Sequence, residues 1–403
     1  MNLVSLFKIN RYKILLDKYL WLQIFSNATA RIIYIYLISF LANINNSNSN
    51  NIAVYLGYAF GLVSLFNFNI FQYILISSAE GRFKALNSCY LQLYLFVIIQ
   101  FILILLSYIV IFYGIKIPIF LSVFNICLSF SIAEILMAIS TIKEIRWRPI
   151  TYYGSQSIWY ILILYLLLND IDHSYIVLSI SLVMLIIYIL SILAINKLQI
   201  FKIKVNSPQI INEYIRRSKG ILTSFPIIFV MPIIIAILEY KESTEYLPKL
   251  LLFISYSGAV VFILGNIYQY YGITIVKKIL LNNNKFENTN SFYLMIALFV
   301  FCLIIAFPIG FIFNLIKIHS LEALSLKWYI GAAIVATDIS SGQWISAIKL
   351  ANNKNIEIFL LNLLYLFFIT LPLFLNIDLI YTYIFASVLR ASLQMIIISI
   401  MKN

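Results

Sequence analysis

Two arginines and two carboxylates stand inside long apolar stretches of this chain, and the polar residues spaced around them indicate the chemistry available. Gln23, Asn27 and Arg31 recur every four residues, which places all three on one helical face. Ser387, Arg390 and Gln394 form a second stripe of the same kind near the C-terminus. A guanidinium at mid-membrane depth offers paired donors that match a phosphate, so both stripes suit an anionic ligand. Glu134 and Asp338 carry the opposite charge in two other apolar stretches. Two roles stand open for them: neutralising the arginines as buried ion pairs, or taking up a proton or ion in a transport cycle. Each of the four costs several kcal/mol unless it faces water, a partner or a bundle interior, so they are the first candidates for function.

A second pattern is an amide pair. Asn69-Ile70-Phe71-Gln72-Tyr73 recurs as Asn266-Ile267-Tyr268-Gln269-Tyr270, each copy inside an apolar run and eight residues before the next charge. A chain rich in Ile, Asn, Phe and Tyr produces such matches by accident, but position argues for duplication, since the copies fall in the second helix of each half. Asn69, Gln72, Asn266 and Gln269 read either as polar groups lining a pathway or as helix-to-helix glue. Pro226 and Pro232, with Thr223 and Ser224 nearby, predict a bent helix. A bend there is a candidate hinge.

The elements that must position these groups follow from composition. Of 403 residues, 63% are hydrophobic and 11% charged, with a mean hydropathy of +0.98; soluble domains carry about a quarter charged residues. The chain is an all-α integral membrane protein. Runs of about 20 apolar residues, the length that crosses a hydrocarbon core, give twelve segments: 19–43, 52–79, 89–113, 119–141, 150–168, 175–195, 220–238, 249–276, 291–315, 328–349, 357–375 and 379–400. With the N-terminus cytoplasmic, 21 basic residues fall inside and five outside (Lys116, Lys241, Lys249, Lys317, Lys327), leaving Arg31 and Arg390 in the membrane. The positive-inside rule therefore places both termini in the cytoplasm. Trp21, Trp147 and Trp328 fall where segments meet loops, as interfacial indoles do. The basic stretch from Asn196 to Lys219 sits at the midpoint, which predicts a six-helix half over 1–200, a cytoplasmic linker over 201–219 and a second six-helix half over 220–403. Six is even, so the halves share an orientation and a pseudo-two-fold along the membrane normal.

Several function classes are excluded or weakened. The net charge of +13 lies in short loops between apolar runs, which is a topology signal and not a nucleic-acid surface. Cys89, Cys127 and Cys302 are far apart in sequence and form no metal or redox spacing. His173 and His319 match no ligand or triad pattern, and no HExxH or phosphate-binding glycine loop occurs, so no metal site and no enzyme are expected. The first apolar run is too long for a signal-peptide core and lacks a small-residue cleavage pattern, so it is expected to remain as a helix. Arg146-Trp147-Arg148 and Arg216-Arg217 read as positive-inside anchors, or as groups drawing in a lipid head at a cavity mouth.

Further stretches carry a family resemblance. Tyr19-Leu20-Trp21-Leu22-Gln23, the run from Tyr55 to Leu62, the Ala79-Glu80-Gly81-Arg82 exit and Arg217-Ser218-Lys219-Gly220 ahead of Ser224-Phe225-Pro226 resemble the polysaccharide-biosynthesis flippases of the multidrug/oligosaccharidyl-lipid/polysaccharide (MOP) exporter superfamily. The helix count, short loops and length agree over the whole chain. The resemblance implies two pseudo-symmetric six-helix bundles around a cationic cavity. It implies a multi-pass protein of the bacterial inner membrane that moves an undecaprenyl-pyrophosphate-linked oligosaccharide, an O-antigen or capsule unit, by alternating access. Arg31 and Arg390 match that cavity charge in type and depth. The partners implied are the lipid-linked glycan, membrane lipids and other glycan-assembly membrane proteins; no cofactor is implied beyond a coupling ion, H+ or Na+. Cation and drug antiporters of the superfamily commonly carry an acid in helix 1, where this chain has Arg31 and no acid. The competing readings are a multidrug or organic-cation antiporter of the same fold, kept open by Glu134 and Asp338, and an O-antigen polymerase, which resembles its relatives in having a long periplasmic loop that is missing here.

Overall fold

A computed structural model describes residues 18–43, 47–66, 82–142, 148–196, 212, 225–241, 243, 246–281, 291–315, 326–351, 355–375 and 378–400. These residues are almost wholly helical, with no strand among them. Among the described residues the helices run in order: α1 (Lys18–Asn43), α2 (Ser47–Phe66), α3 (Arg82–Phe112), α4 (Ile119–Ile142), α5 (Arg148–Leu168), α6 (His173–Asn196), α7 (Val230–Tyr240), α8 (Leu247–Leu281), α9 (Ser291–Leu315), α10 (Leu326–Ala351), α11 (Asn355–Phe374) and α12 (Leu379–Ile400). Helix is forced by the solvent: in hydrocarbon every backbone N–H must find its carbonyl within the segment. Stretches of α1, α3, α4, α6 and α11 are long and apolar enough to cross a membrane, and α5, α7, α8 and α9 hold shorter apolar stretches. Helix α3 starts at Arg82, seven residues before the apolar run expected from 89. Hydropathy reads only the part in hydrocarbon, whereas backbone hydrogen bonding continues beyond it.

Packing organises the helices around two hubs. Helix α4 contacts α2, α3, α5 and α6; α10 contacts α8, α9, α11 and α12. The flanking pairs recur with the same offset of six helices: α1·α5 with α7·α11, α3·α6 with α9·α12, α5·α6 with α11·α12, and α2·α6 with α8·α12. Among the described residues the extensive pairs that join the first six helices to the last six are α1·α8, α2·α7 and α2·α8, and the offset maps that set onto itself. Two pairs, α1·α2 and α8·α9, have no equally extensive counterpart among the described residues.

Helix caps repeat as well. Asp172 accepts the Ser174 amide at 2.8 Å to start α6, and Asp378 accepts the amides of Ile380 at 2.9 Å and Tyr381 at 3.3 Å to start α12. Both lie in the pattern Ile-Asp-x-x-Tyr, Ile171 to Tyr175 and Ile377 to Tyr381. A carboxylate there accepts amide hydrogens that the first turn leaves without partners. Burial alone would raise the Asp172 carboxyl, but the Ser174 amide and hydroxyl, with His173 and Lys116 beside it, hold it below the usual carboxylate range.

The proline-rich entry to α7 is broken as its sequence predicts. Residues 225–228 are helical, Phe229 interrupts, and α7 resumes at Val230. Pro232 has no N–H, so the Ile228 carbonyl has no donor one turn on. Gly61 of α2 lies against this point: a Cβ there would stand 2.5 Å from Pro232 Cδ and 3.1 Å from Ile228 O. Only glycine lets α2 approach so closely. Nearby, a Cβ on Gly57 would meet Ile235 Cδ1 at 2.7 Å, and the Tyr58 hydroxyl donates to Glu239 Oε2 at 3.1 Å. The α2·α7 seam is thus closed toward the end that carries the α7–α8 turn. Prolines Pro308 in α9 and Pro372 in α11 also lie within helices, where sequence reasoning had singled out only Pro226 and Pro232.

Candidate functional site

The C-terminal charge centre is assembled by three helices. Arg390 on α12 and Asp338 on α10 form a two-pronged pair, with Nε 2.8 and 3.0 Å from the two carboxylate oxygens and Nη2 2.5 Å from Oδ2. Asp338 is 0% exposed and Arg390 7%. The guanidinium carbon lies 3.9 Å from the centre of the Tyr365 ring on α11, a cation–π contact beneath the ion pair. One turn further along α12, Gln394 Oε1 accepts the Ser341 hydroxyl at 2.7 Å. The predicted stripe of Ser387, Arg390 and Gln394 is therefore buried against a matching stripe on α10. Nε and Nη2 are engaged by Asp338, and Nη1 has no hydrogen bond among the described residues.

The N-terminal centre is built differently. Arg31 is partly accessible, and its Nε donates to Asn27 Oδ1 at 3.2 Å one turn back. Helix α1 packs between α5 and α8, so the guanidinium sits where the first six helices meet the last six. Its Nη1 lies 2.8 Å from where a Cβ on Gly258 of α8 would be. Tyr152, Tyr153 and Tyr160 of α5 stand within electrostatic reach, and the Tyr160 ring is 4.9 Å from that of Tyr34. Gln23 and Asn27 are buried. Glu134 on α4 is partly exposed and lies near Tyr152. Among the described residues Arg31 forms no ion pair, in contrast to Arg390.

The predicted residues thus gather into two centres. Arg390, Gln394 and Asp338 are in one; Arg31, Asn27, Gln23 and the neighbourhood of Glu134 form the other. Helix α8 contacts both α1 and α12. Asn69 and Gln72 lie outside the described residues; Asn266 and Gln269 belong to α8, but their side chains lie outside them as well. Sequence reasoning missed Tyr365, Gly258 and the α5 tyrosines. With 29 tyrosines in the chain, no single one stood out. Spacing carried the available signal: Tyr153, Ser157 and Tyr160 fall on one face at positions i, i+4 and i+7.

Apolar helices packed around buried charges define a multi-pass membrane protein. Its fold is that of the MATE transporters of the MOP superfamily. The chain is similar to a multidrug resistance MATE family transporter solved in an outward-facing conformation, with a TM-score of 0.53 and 10% identity over 94% of each chain. It is similar also to the Vibrio cholerae MATE transporter VcmN, with a TM-score of 0.52 and 11% identity over 94% of each chain. Identity this low establishes the fold alone. No family model matches the sequence, and no curated protein sequence matches it.

Proposed function

We propose that this chain is a flippase that carries an undecaprenyl-pyrophosphate-linked oligosaccharide across the bacterial inner membrane by alternating access. The observation that carries the reading is Arg31: a residue of intermediate exposure whose guanidinium lies between α1, α5 and α8, bounded by tyrosines and forming no ion pair among the described residues. A cation at that depth suits an anionic partner, and its fork of donors fits a pyrophosphate. Tyrosine hydroxyls and ring faces beside it suit the first sugar. Two six-helix halves, 1–200 and 220–403 joined by a cytoplasmic linker over 201–219, rock about this site, in keeping with the six-helix offset of packing pairs and caps. The broken helix at Pro226 and Pro232 is the hinge. Both termini are cytoplasmic, by the charge asymmetry of 21 basic residues inside to five outside. The closed α2·α7 seam is then the periplasmic gate.

In this scheme Asp338 is the coupling acid. Protonation or ion binding at its carboxylate frees the Arg390 guanidinium as a second grip on the pyrophosphate, and Nη1 is placed to meet the ligand first. An organic-cation antiporter is the second reading, because Glu134 is partly exposed; against it, Asp338 is already neutralised by Arg390. Arg31→Gln tests the choice. Loss of a charge-assisted contact worth about 1.5–3 kcal/mol lowers cargo affinity by roughly 10- to 100-fold. Surface glycan should fall sharply while the protein stays in the membrane, and Arg31→Lys should recover only part of it. Normal glycan export by Arg31→Gln at native expression, or a gain in efflux of organic cations, would sink the flippase reading.

A further inference from the structure

Two of the seams that join the halves, α2·α7 and α1·α8, are built from the same two parts. The first part is a glycine seat: Gly61 of α2 faces Pro232 of α7, and Gly258 of α8 faces the Arg31 guanidinium of α1, which is tied back to Asn27. The second is a hydroxyl contact three residues before each glycine. Tyr58 donates to Glu239 Oε2 at 3.1 Å, and Ser255 stands within hydrogen-bonding reach of Tyr34. The sequence keeps these parts in register. The interval from Asn69 to Asn266 is also that from Gly61 to Gly258 and from Tyr58 to Ser255. On the facing helices, the interval from Asn27 to Pro232 is also that from Tyr34 to Glu239. The offset of six helices therefore carries one seam onto the other, with the phenol moved to the opposite side.

We infer that Tyr58–Glu239 and Tyr34–Ser255 are paired latches that hold the two halves shut across these seams. Side chains lean toward the N-terminus of their helix, so Tyr58 reaches toward the start of α2 and meets Glu239 in the last turn of α7. Glu239 stands seven residues beyond Pro232, roughly 10 Å along the helix from the break. A bond that far from a pivot resists rotation with nearly the longest lever that α7 offers. The apolar contacts of such a seam hold it less firmly than they would in water, because lipid tails cover parted apolar faces too. One hydrogen bond then weighs heavily in the balance of shut and open states. The inference rests on the reading of the α2·α7 seam as a gate and is independent of the cargo.

The test uses the full chain in nanodiscs, with Cys89, Cys127 and Cys302 replaced by alanine and Ile235→Cys as the one reporter thiol. Ile235 is buried against Gly57, so a charged, water-soluble maleimide reaches that thiol only when the seam parts. Tyr58→Phe removes the hydroxyl and keeps the ring; it should speed labelling about two- to tenfold, the weight of one hydrogen bond. Glu239→Ala should do the same, the two together should do no more than either alone, and Glu239→Gln, which keeps an acceptor, should return most of the way to the parent rate. Tyr34→Phe should speed labelling by a similar factor and multiply with Tyr58→Phe, because the two bonds are separate. A second reporter, Ile115→Cys on the exposed α3–α4 turn, should label at one rate throughout; a change there equal to that at Ile235→Cys would mean general loosening and overturn the proposal. Labelling unmoved by Tyr58→Phe, or multiplied when Glu239→Ala is added to it, would overturn the first latch, and labelling unmoved by Tyr34→Phe the second. An Ile235→Cys thiol silent in the parent and in every variant would overturn the gate and the latches together. If labelling follows expectation while Arg31→Gln exports glycan normally, the cargo reading fails and the latches stand.

Discussion

The two arginines look alike in sequence and differ in state. Arg390 lies twelve residues after its helix cap, Asp378; twelve residues after the corresponding cap, Asp172, stands Met184, which is buried. Thirteen residues before the same caps stand Tyr365 and Trp159. The tyrosine–arginine–aspartate centre of the last six helices therefore has tryptophan and methionine at the corresponding positions of the first six, and Glu134 faces a different neighbourhood from Asp338. Asp338→Asn should destabilise the protein by about 3–5 kcal/mol, because it leaves a buried guanidinium uncompensated. Combining it with Arg390→Gln should recover most of that loss, as measured by thermal unfolding in detergent. A double variant no more stable than either single would show that the pair is not coupled. Gly258→Ala supplies a second test at this scale. The new methyl group must push Arg31 Nη1 aside without altering charge, so glycan export should drop at least severalfold with the yield of folded protein unchanged. Unaltered export would mean that the placement of Arg31 against α8 is immaterial.

At the scale of helices, most of the fold was legible because membrane segments announce themselves by length and apolarity. Asn27 and Gln23 were placed with Arg31 by spacing alone, and Ser387 and Gln394 with Arg390. What could not be read was which stripe meets which. The partner of Arg390 depends on α10 packing on α12, a tertiary fact that no local pattern encodes, and Gly258 becomes meaningful only once α1 lies across α8. The α2·α7 seam is open to direct test. Gly57→Cys and Ile235→Cys place two thiols on the facing sides of α2 and α7, in a background where the buried Cys89, Cys127 and Cys302 are replaced by alanine. Oxidation should arrest transport and a reductant should restore it. Transport that continues with the bridge formed would show that this seam does not open during the cycle.

For the whole molecule, orientation decides what every depth means. A reporter fused after Lys204 should behave as cytoplasmic and one fused after Glu242 as periplasmic; the opposite pattern would reverse the assignment of the gate. The offset of six in helix contacts supports the same conclusion as the spacing of the caps, since duplicated halves with an even number of helices must enter the bilayer from the same side.

The proline kink has one more consequence. Ile228 O lacks a helical donor because Pro232 follows one turn later, and Gly61 shields it while α2 and α7 are together. Parting those helices uncovers a carbonyl that lacks its i+4 donor, and water can serve it there. Opening the gate therefore hydrates the protein, and the cycle has an osmotic side. Solutes too large to enter the gap draw water out of it and hold the two helices together, so sugar polymers or polyethylene glycols outside the vesicle should slow turnover in proportion to their exclusion, whatever the cargo.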